Sequence, residues 1–408
     1  MLKRPTITAF AAMLILSSLS VSVYMIVKDV EDNSYPFYYA SSTDRFKFPR
    51  IEDPRPEVLE FLNLSGHYLS KHVEKNGKWD YLYYPDKDES SNDYNILRHA
   101  GTTYSMALTF KYTQNLTHYF TTMDTINYLL DTYFHYDKGE TGEIAYISDS
   151  YRVKLGGAAL TSLALVAISE IDPILNYSRE LDGMGRFMVE MVTESGKFNC
   201  FKDPSHGDHN DYYPGEALLA LSRLYEFTGD NYYLDAMERA WDFYLDYYGS
   251  GRYTPFTPWG TEALYHMYRF TGEKKYSELA VKMGEYSSMG QHKPDYTNDE
   301  RFVGGYGSNP RANTASKIEG TVDAERLCRM QGSDDIATNL KSSVKLSLDF
   351  LRGLQINRSE SVDFPEPDLC LGGVPGSYDD PGIRIDYVQH AAVIFAKTAA
   401  YESGLEKV

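Results

Sequence analysis

Cysteine is scarce in this chain. Cys200, Cys328 and Cys370 are the only three in 408 residues, and they are far apart. No CxxC and no paired Cys/His spacing occurs, so a zinc–thiolate site is not expected. At most one disulfide can form, leaving an odd thiol. Positive charge is also short: 40 Lys and Arg stand against 58 Asp and Glu, a net charge of −18. Such a surface repels a phosphate backbone, so no nucleic-acid partner is expected. HExxH helical spacing is absent too. His206, His209 and Asp211 in SHGDHND offer two imidazoles and a carboxylate. They sit on a loop, and polar loop residues account for them better than a metal site does. Neither a metal nor a cofactor is expected.

Tyrosine, by contrast, is abundant, with 36 residues. Its ring offers a flat apolar face and a hydroxyl, which suits sugars at a concave surface, although packing between helices is expected to use most of them.

The clearest unit is DYYPGEALLALSRLYEF, residues 211–227. Pro214 fits the first turn of a helix. Ala217, Leu218, Leu221, Leu224 and Tyr225 make an apolar stripe at helical spacing, and Leu219 and Ala220 carry it round to the other side. A helix apolar on most faces is buried. Thr228-Gly229-Asp230 stops it, with Gly229 suited to the left-handed C-terminal position. A more polar helix follows over 232–248. The echo of FTGDNYY (227–233) in FTGEKKY (270–276) marks a repeat of inner helix, turn and outer helix.

Carried along the chain, this pattern gives inner helices at 95–110, 156–168, 211–227, 259–270, 314–330 and 385–400. Outer helices fall at 57–73, 118–134, 181–193, 232–248, 276–286 and 336–354, so the length is one repetitive domain rather than two or three. Short β segments are expected at 78–85 and 144–153.

Lys3 and Arg4 precede an uncharged run over residues 5–27 that contains AFAAMLILSSLSVSVYMIV. The run is long enough to cross a bilayer. The flanking charges orient its N-terminus to the cytoplasm. Residues 1–28 are expected to be a signal anchor, or a signal peptide although no clear A-x-A site follows. Residues 29–50 read as a tether and 51–408 as the domain, membrane-anchored on the far side of the cytoplasmic membrane or secreted. N-x-S/T triplets at Asn63, Asn115, Asn176 and Asn357 are compatible with glycosylation there.

Six hairpins close naturally into a ring. GGAALTSLAL, YYPGEALLALSRLYEFTGD, PWGTEALYHMYRFTGE, NTASKIEGTVDAERL and GSYDDPGIRIDYVQHAAVIF carry a resemblance to the six-hairpin (α/α)6 toroid superfamily over about residues 51 to 408. That superfamily contains glycoside hydrolases, polysaccharide lyases and uronyl or acylglucosamine epimerases. The resemblance implies an all-α (α/α)6 toroid with short β segments in its loops, here preceded by an N-terminal transmembrane helix. It is not specific for one reaction. The DxDD-type motif of terpene cyclases of this shape is absent, and so are the Cys and His zinc ligands of lanthionine-cyclase-like proteins.

The resemblance also implies a substrate funnel at the starts of the inner helices, where free N–H groups and the positive dipole end lie. Glu216, Glu319, Asp386 and Asp211 form the pool for a hydrolytic acid/base pair, which needs two carboxyl groups separated by room for water. Asn95, Arg98, His99, Tyr212, Tyr213, Trp259, Arg384 and His390 are the expected substrate-binding residues. Arg98 suits a carboxylate and His99 a proton transfer. Trp259 suits stacking on a sugar ring. Asp386 and His390, four apart, share a helix face. The expected protein is a glycoside hydrolase acting on an oligo- or polysaccharide outside the cytoplasm. Two alternatives stand beside it. One is a lyase or C5-epimerase on uronic-acid glycans, with His or Tyr removing a proton and Arg98 or Arg384 neutralising the carboxylate. The other is a non-catalytic glycan-binding or assembly module.

Overall fold

The computed structural model describes residues 45–49, 55–150, 152–251 and 255–402. Its helices are α1 (Pro56–Lys71), α2 (Ile96–Thr113), α3 (Leu116–Tyr133), α4 (Leu155–Ile171), α5 (Ser178–Glu190), α6 (Tyr213–Thr228), α7 (Asn231–Gly249) and α8 (Thr257–Thr271). They continue with α9 (Lys274–Ser288), α10 (Thr314–Ile318), α11 (Thr321–Met330), α12 (Asp334–Leu354), the single turns α13 (Arg358–Ser361) and α14 (Pro367–Cys370), and α15 (Ile385–Glu402). The strands are β1 (Leu82–Tyr84), β2 (Glu89–Ser90), β3 (Phe134–Lys138), β4 (Glu143–Ile147) and β5 (Ile383–Arg384).

Local chemistry sets the helix ends. The Asn95 side chain accepts from the N–H groups of Leu97 and Arg98 and starts α2. Asp230 does the same for α7 through Tyr232. Proline occupies the first turn of both α6 and α8. Both helices end on a left-handed glycine, Gly229 and Gly272, whose N–H returns to the carbonyl of Tyr225 or Tyr268.

α2, α4, α6, α8, the α10–α11 pair and α15 each pack against the next, and α15 returns to α2, closing a ring. The partners α1, α3, α5, α7, α9 and α12 pack outside it. Burial follows this division. All of α4 except Glu170 is buried, because α2, α5 and α6 surround it. Between inner and outer layers aromatic rings fill the space, as where Tyr248 stacks on Phe256 with ring centroids 3.8 Å apart. Each such ring contributes roughly 1.5–3 kcal/mol by leaving water.

Two features place the site. β1 pairs antiparallel with both β2 and β5, setting Leu82 opposite Arg384 and Tyr83 opposite Ile383. The strand before the first inner helix therefore fixes the start of the last one. The second feature is a break in the inner helix expected over 314–330. It is interrupted at Glu319 and Gly320, between α10 and α11. A Cβ on Gly320 would lie 2.7 Å from the Thr257 carbonyl oxygen and 2.9 Å from Thr261, so glycine lets this joint close on α8.

The membrane architecture expected from the sequence needs correction. Among the described residues no helix is long and apolar enough to cross a membrane. Residues 1–28, where the anchor was expected, lie outside the described residues. The fold class of the described residues is the helical toroid with short β hairpins, with no membrane helix among its elements. The single-pass anchor, the membrane as a partner and the location derived from them are withdrawn. Within the stretch read as a tether, residues 45–49 are described. Arg45 pairs with Asp172 at 2.7 Å, and Phe46 is buried against Phe110 and Tyr119.

The N-x-S/T triplets have a local explanation as well. Asn115, Asn176 and Asn357 each accept a hydrogen bond from the N–H two residues on, which is the triplet's own Ser or Thr. Asn115 and Asn357 thereby cap α3 and α13. Asn115 is 4% exposed, and its amide nitrogen faces His118.

Candidate active site

The starts of all six inner helices line one cavity of about 700 Å³. Asn95 and Arg98 come from the start of α2, Lys154 and Leu160 from α4, Tyr212, Tyr213 and Glu216 from α6, and Thr257 and Trp259 from α8. Asn313 and Lys317 come from the α10 end, and Arg384, Asp386 and His390 from α15.

Glu216 stands in the first turn of α6 and is 6% exposed. Its Oε2 is buried without a hydrogen-bond partner. The carboxyl lies against Gly156 of α4, where a Cβ would come within 2.1 Å of Oε2. Burial pushes its pKa up to about 8, opposed only by the charge of His390. At neutral pH this is a protonated carboxyl group in a cavity wall.

His390 stands on α15. In the ring order α15 lies three steps from α6 in either direction, so the two residues occupy opposing walls. Nδ1 of His390 is 2.8 Å from Oε2 of Glu319, which is fully buried. With Nδ1 donating to that carboxylate, the neutral imidazole carries its lone pair on Nε2. The side chain keeps 21% exposure, and Trp259 lies beside it with ring centroids 5.9 Å apart. Burial works to lower the imidazole pKa, but the hydrogen bond and charge of Glu319, with the charges of Asp386 and Glu216, together outweigh it, and the net direction is upward.

Asp386 lies in the first turn of α15, one turn before His390, but is clamped. Its Oδ1 accepts from Arg384 Nε at 2.5 Å, and its Oδ2 accepts from Arg384 at 3.0 Å and pairs with Arg98 Nε at 2.9 Å. The guanidinium groups lie over tyrosine rings, Arg98 over Tyr81 and Arg384 over Tyr387.

Not every expected residue reaches the cavity. His99 is fully buried on the side of α2 facing α3, bonded to the Thr125 carbonyl oxygen and the Tyr94 hydroxyl. Burial pushes its pKa down to about 3, so it is a neutral structural imidazole. Asp211 is exposed and is not among the lining residues. Glu319 lies behind His390 rather than in the wall. Asn95, Arg98, Tyr212, Tyr213, Trp259, Arg384 and His390 all line the cavity.

Beneath the site runs a buried charge network not anticipated from the sequence. Lys397 contacts Asp323 at 2.6 Å and Glu262 at 2.8 Å, and Arg326 contacts Asp323 at 3.2 Å and donates to the Lys397 carbonyl oxygen. It ties α8, α11 and α15 together. A lone lysine in the apolar run of α15, seven residues after His390 and on the same face, is the signal that could have revealed it.

No family model matches this chain, and no curated protein matches it. Solved structures do. A family 76 α-mannanase from Bacteroides thetaiotaomicron is 15% identical with a TM-score of 0.58, over 86% of this chain and 97% of its own. Cellobiose 2-epimerase from Bacillus thermoamylovorans is 12% identical with a TM-score of 0.57, over 84% and 99%. A D-mannose isomerase is 13% identical with a TM-score of 0.57, over 86% and 99%. At these identities the likeness is one of fold. The chain has the (α/α) toroid fold of carbohydrate-active hydrolases, epimerases and isomerases, with no single family among them assigned.

Proposed function

We propose that this protein is a carbohydrate-active enzyme that moves a proton at a sugar carbon, in the manner of an epimerase, with Glu216 and His390 as its acid–base pair. One observation carries the proposal: among the described residues, the one unpaired carboxyl group in the cavity wall lies opposite an imidazole, not a second free carboxylate. Hydrolysis by two carboxyl groups needs a second one open to water. Asp386 is held by two arginines, Glu319 is spent on His390, and Asp211 is not a lining residue.

In this mechanism Nε2 of His390 removes the proton from a carbon next to a carbonyl or carboxylate group. Glu319 stabilises the imidazolium that forms. Glu216 then delivers its own proton to the opposite face of the same carbon, which inverts that centre. Exchange with water resets both groups. Opposed walls suit inversion better than elimination, in which a lyase expels a leaving group. Trp259, which lines the cavity beside His390, is the ring this reading assigns to contact with the sugar.

The test is turnover of candidate sugars in deuterium oxide, followed by NMR. An inverted product carrying one solvent deuteron at the inverted carbon is expected. Release of new reducing ends without deuterium at carbon would instead support the hydrolase, and an unsaturated product the lyase.

A further inference from the structure

The cavity carries charge opposite in sign to the chain around it. Four cationic side chains line it, Arg98, Lys154, Lys317 and Arg384, against two carboxyl groups, Glu216 and Asp386. The chain as a whole has a net charge of −18. Asp386 answers only part of the charge of its two arginines, since two guanidinium groups share one carboxylate.

The two lysines are not answered at all. Neither Lys154 nor Lys317 makes an ion pair with any described residue. The ammonium group of Lys317 stands over the Tyr306 ring, 4.4 Å from its centroid, a contact that does not neutralise it. Partial burial lowers its pKa, as expected for an ammonium group that lacks a counter-ion. Lys317 belongs to α10, the ring neighbour of both α8 and α15. It therefore flanks the wall that carries Trp259 and His390. Lys154 sits at the start of α4, on the opposite side of the ring. A low-dielectric cleft focuses such a field on whatever enters it.

We infer that the substrate is an anionic sugar whose carboxylate or phosphate is held at Lys317, with Lys154 adding to the attracting field. This rests on the cavity being a sugar site, as proposed above, but not on the proton-transfer step. A charge-assisted hydrogen bond to an ammonium group supplies the affinity, and the acidic exterior turns away anions that do not reach the cavity.

Binding is measured by calorimetry on the wild type and on Glu216→Gln, so that it is read independently of turnover. The probes are glucuronate, galacturonate and mannuronate, the corresponding hexose 6-phosphates, and the parent neutral hexoses. At least one anionic series is expected to bind about tenfold or more tighter than its neutral parents and to weaken with added salt. Preference for the uronates names a carboxylate as the group held, and preference for the 6-phosphates names a phosphate. Lys317→Met is expected to weaken the anionic sugar by about ten- to a hundredfold and to leave neutral sugars unchanged. Lys154→Met should have a smaller effect in the same direction. Equal binding of neutral sugars, no binding of any anionic sugar, or an anion preference that survives Lys317→Met overturns the inference. Absence of deuterium in product, with the anion preference intact, would count against the epimerase mechanism alone.

Discussion

Gly156 and Glu216 are matched across the contact between α4 and α6: a methyl group at position 156 would sit 2.1 Å from the Glu216 carboxyl oxygen. The small residue that lets two inner helices pack also makes the room in which the acid is held. Gly156→Ala is therefore expected to displace the carboxyl and lower kcat by about tenfold or more. Alanine is favoured over glycine in a helix by about 0.5–1 kcal/mol, whereas overpacking costs about 1–3, so a net loss of stability is expected. Adding Glu216→Asp should recover stability but not activity, because the shorter side chain clears the methyl group but retracts the acid. A double-mutant cycle in thermal unfolding and kcat reads both. Full kcat in Gly156→Ala would show that the carboxyl's position is not critical.

The pH dependence of turnover has a predicted shape. The proposed proton transfer needs His390 neutral and Glu216 protonated. The imidazole pKa lies above its ordinary 6.5, which sets the rising limb, and Glu216 loses its proton near 8, which sets the falling limb. A narrow bell on the alkaline side of neutral is expected, with Glu319→Gln moving the rising limb to lower pH by removing the charge that holds the imidazolium. An unmoved acid limb in Glu319→Gln would disconnect Glu319 from His390.

Glu216 also links stability to pH. Its folded pKa, about 8, lies above the ordinary 4.5, so its contribution is fully present below pH 4.5 and is lost as pH rises through 8. The penalty at high pH is roughly 3–5 kcal/mol relative to a side chain that cannot ionise. Urea unfolding should show Glu216→Gln close to wild type at pH 5 and more stable than wild type at pH 9. A constant difference between the two proteins across that range would place the Glu216 pKa near its unfolded value.

The buried network predicts a large effect far from the cavity surface. Lys397→Met leaves Asp323 and Glu262 buried without their shared cation and is expected to cost about 3–5 kcal/mol. Adding Asp323→Asn should restore part of that. Chemical denaturation of the three proteins measures it, and a single-variant loss below about 1 kcal/mol would mean that water reaches the pair.

Asp386 holds both arginines, so Asp386→Asn should disturb binding more than chemistry. An increase in KM of about tenfold with kcat within a few-fold is expected, by steady-state kinetics. A kcat loss of a hundredfold at unchanged KM would instead return Asp386 to the role of acid or base.

The ring was legible because its punctuation is local. Gly229 and Gly272 end α6 and α8 in the left-handed conformation their position demands, and the apolar runs between such stops are buried on several faces. The site was legible only as a set of helix starts. Arg98 and His99 are adjacent, and successive residues on a helix point about 100° apart. Because α2 is buried all round, no amphipathic pattern tells which of the two enters the cavity; Arg98 does, and His99 turns to α3. Glu319 and His390 are 71 residues apart, and their bond depends on how α10 and α15 meet in the ring. An asparagine followed two residues later by Ser or Thr is both a glycosylation triplet and a helix-start turn. Asn115 and Asn357 fill the second role.

β5 pairs with β1 across some 300 residues of chain, and α15 brings Arg384, Asp386 and His390 with it. Half of the proposed acid–base pair thus arrives with the last helix of the ring. A growing chain that has already folded five hairpins holds Glu216 but no imidazole opposite it, and it has an open seam where sugars could lodge without reacting. Closure over so long a separation is intrinsically slow. On the proposed mechanism, chemical competence is therefore a late event in the life of each molecule, timed by the docking of its last helix rather than by the formation of its core.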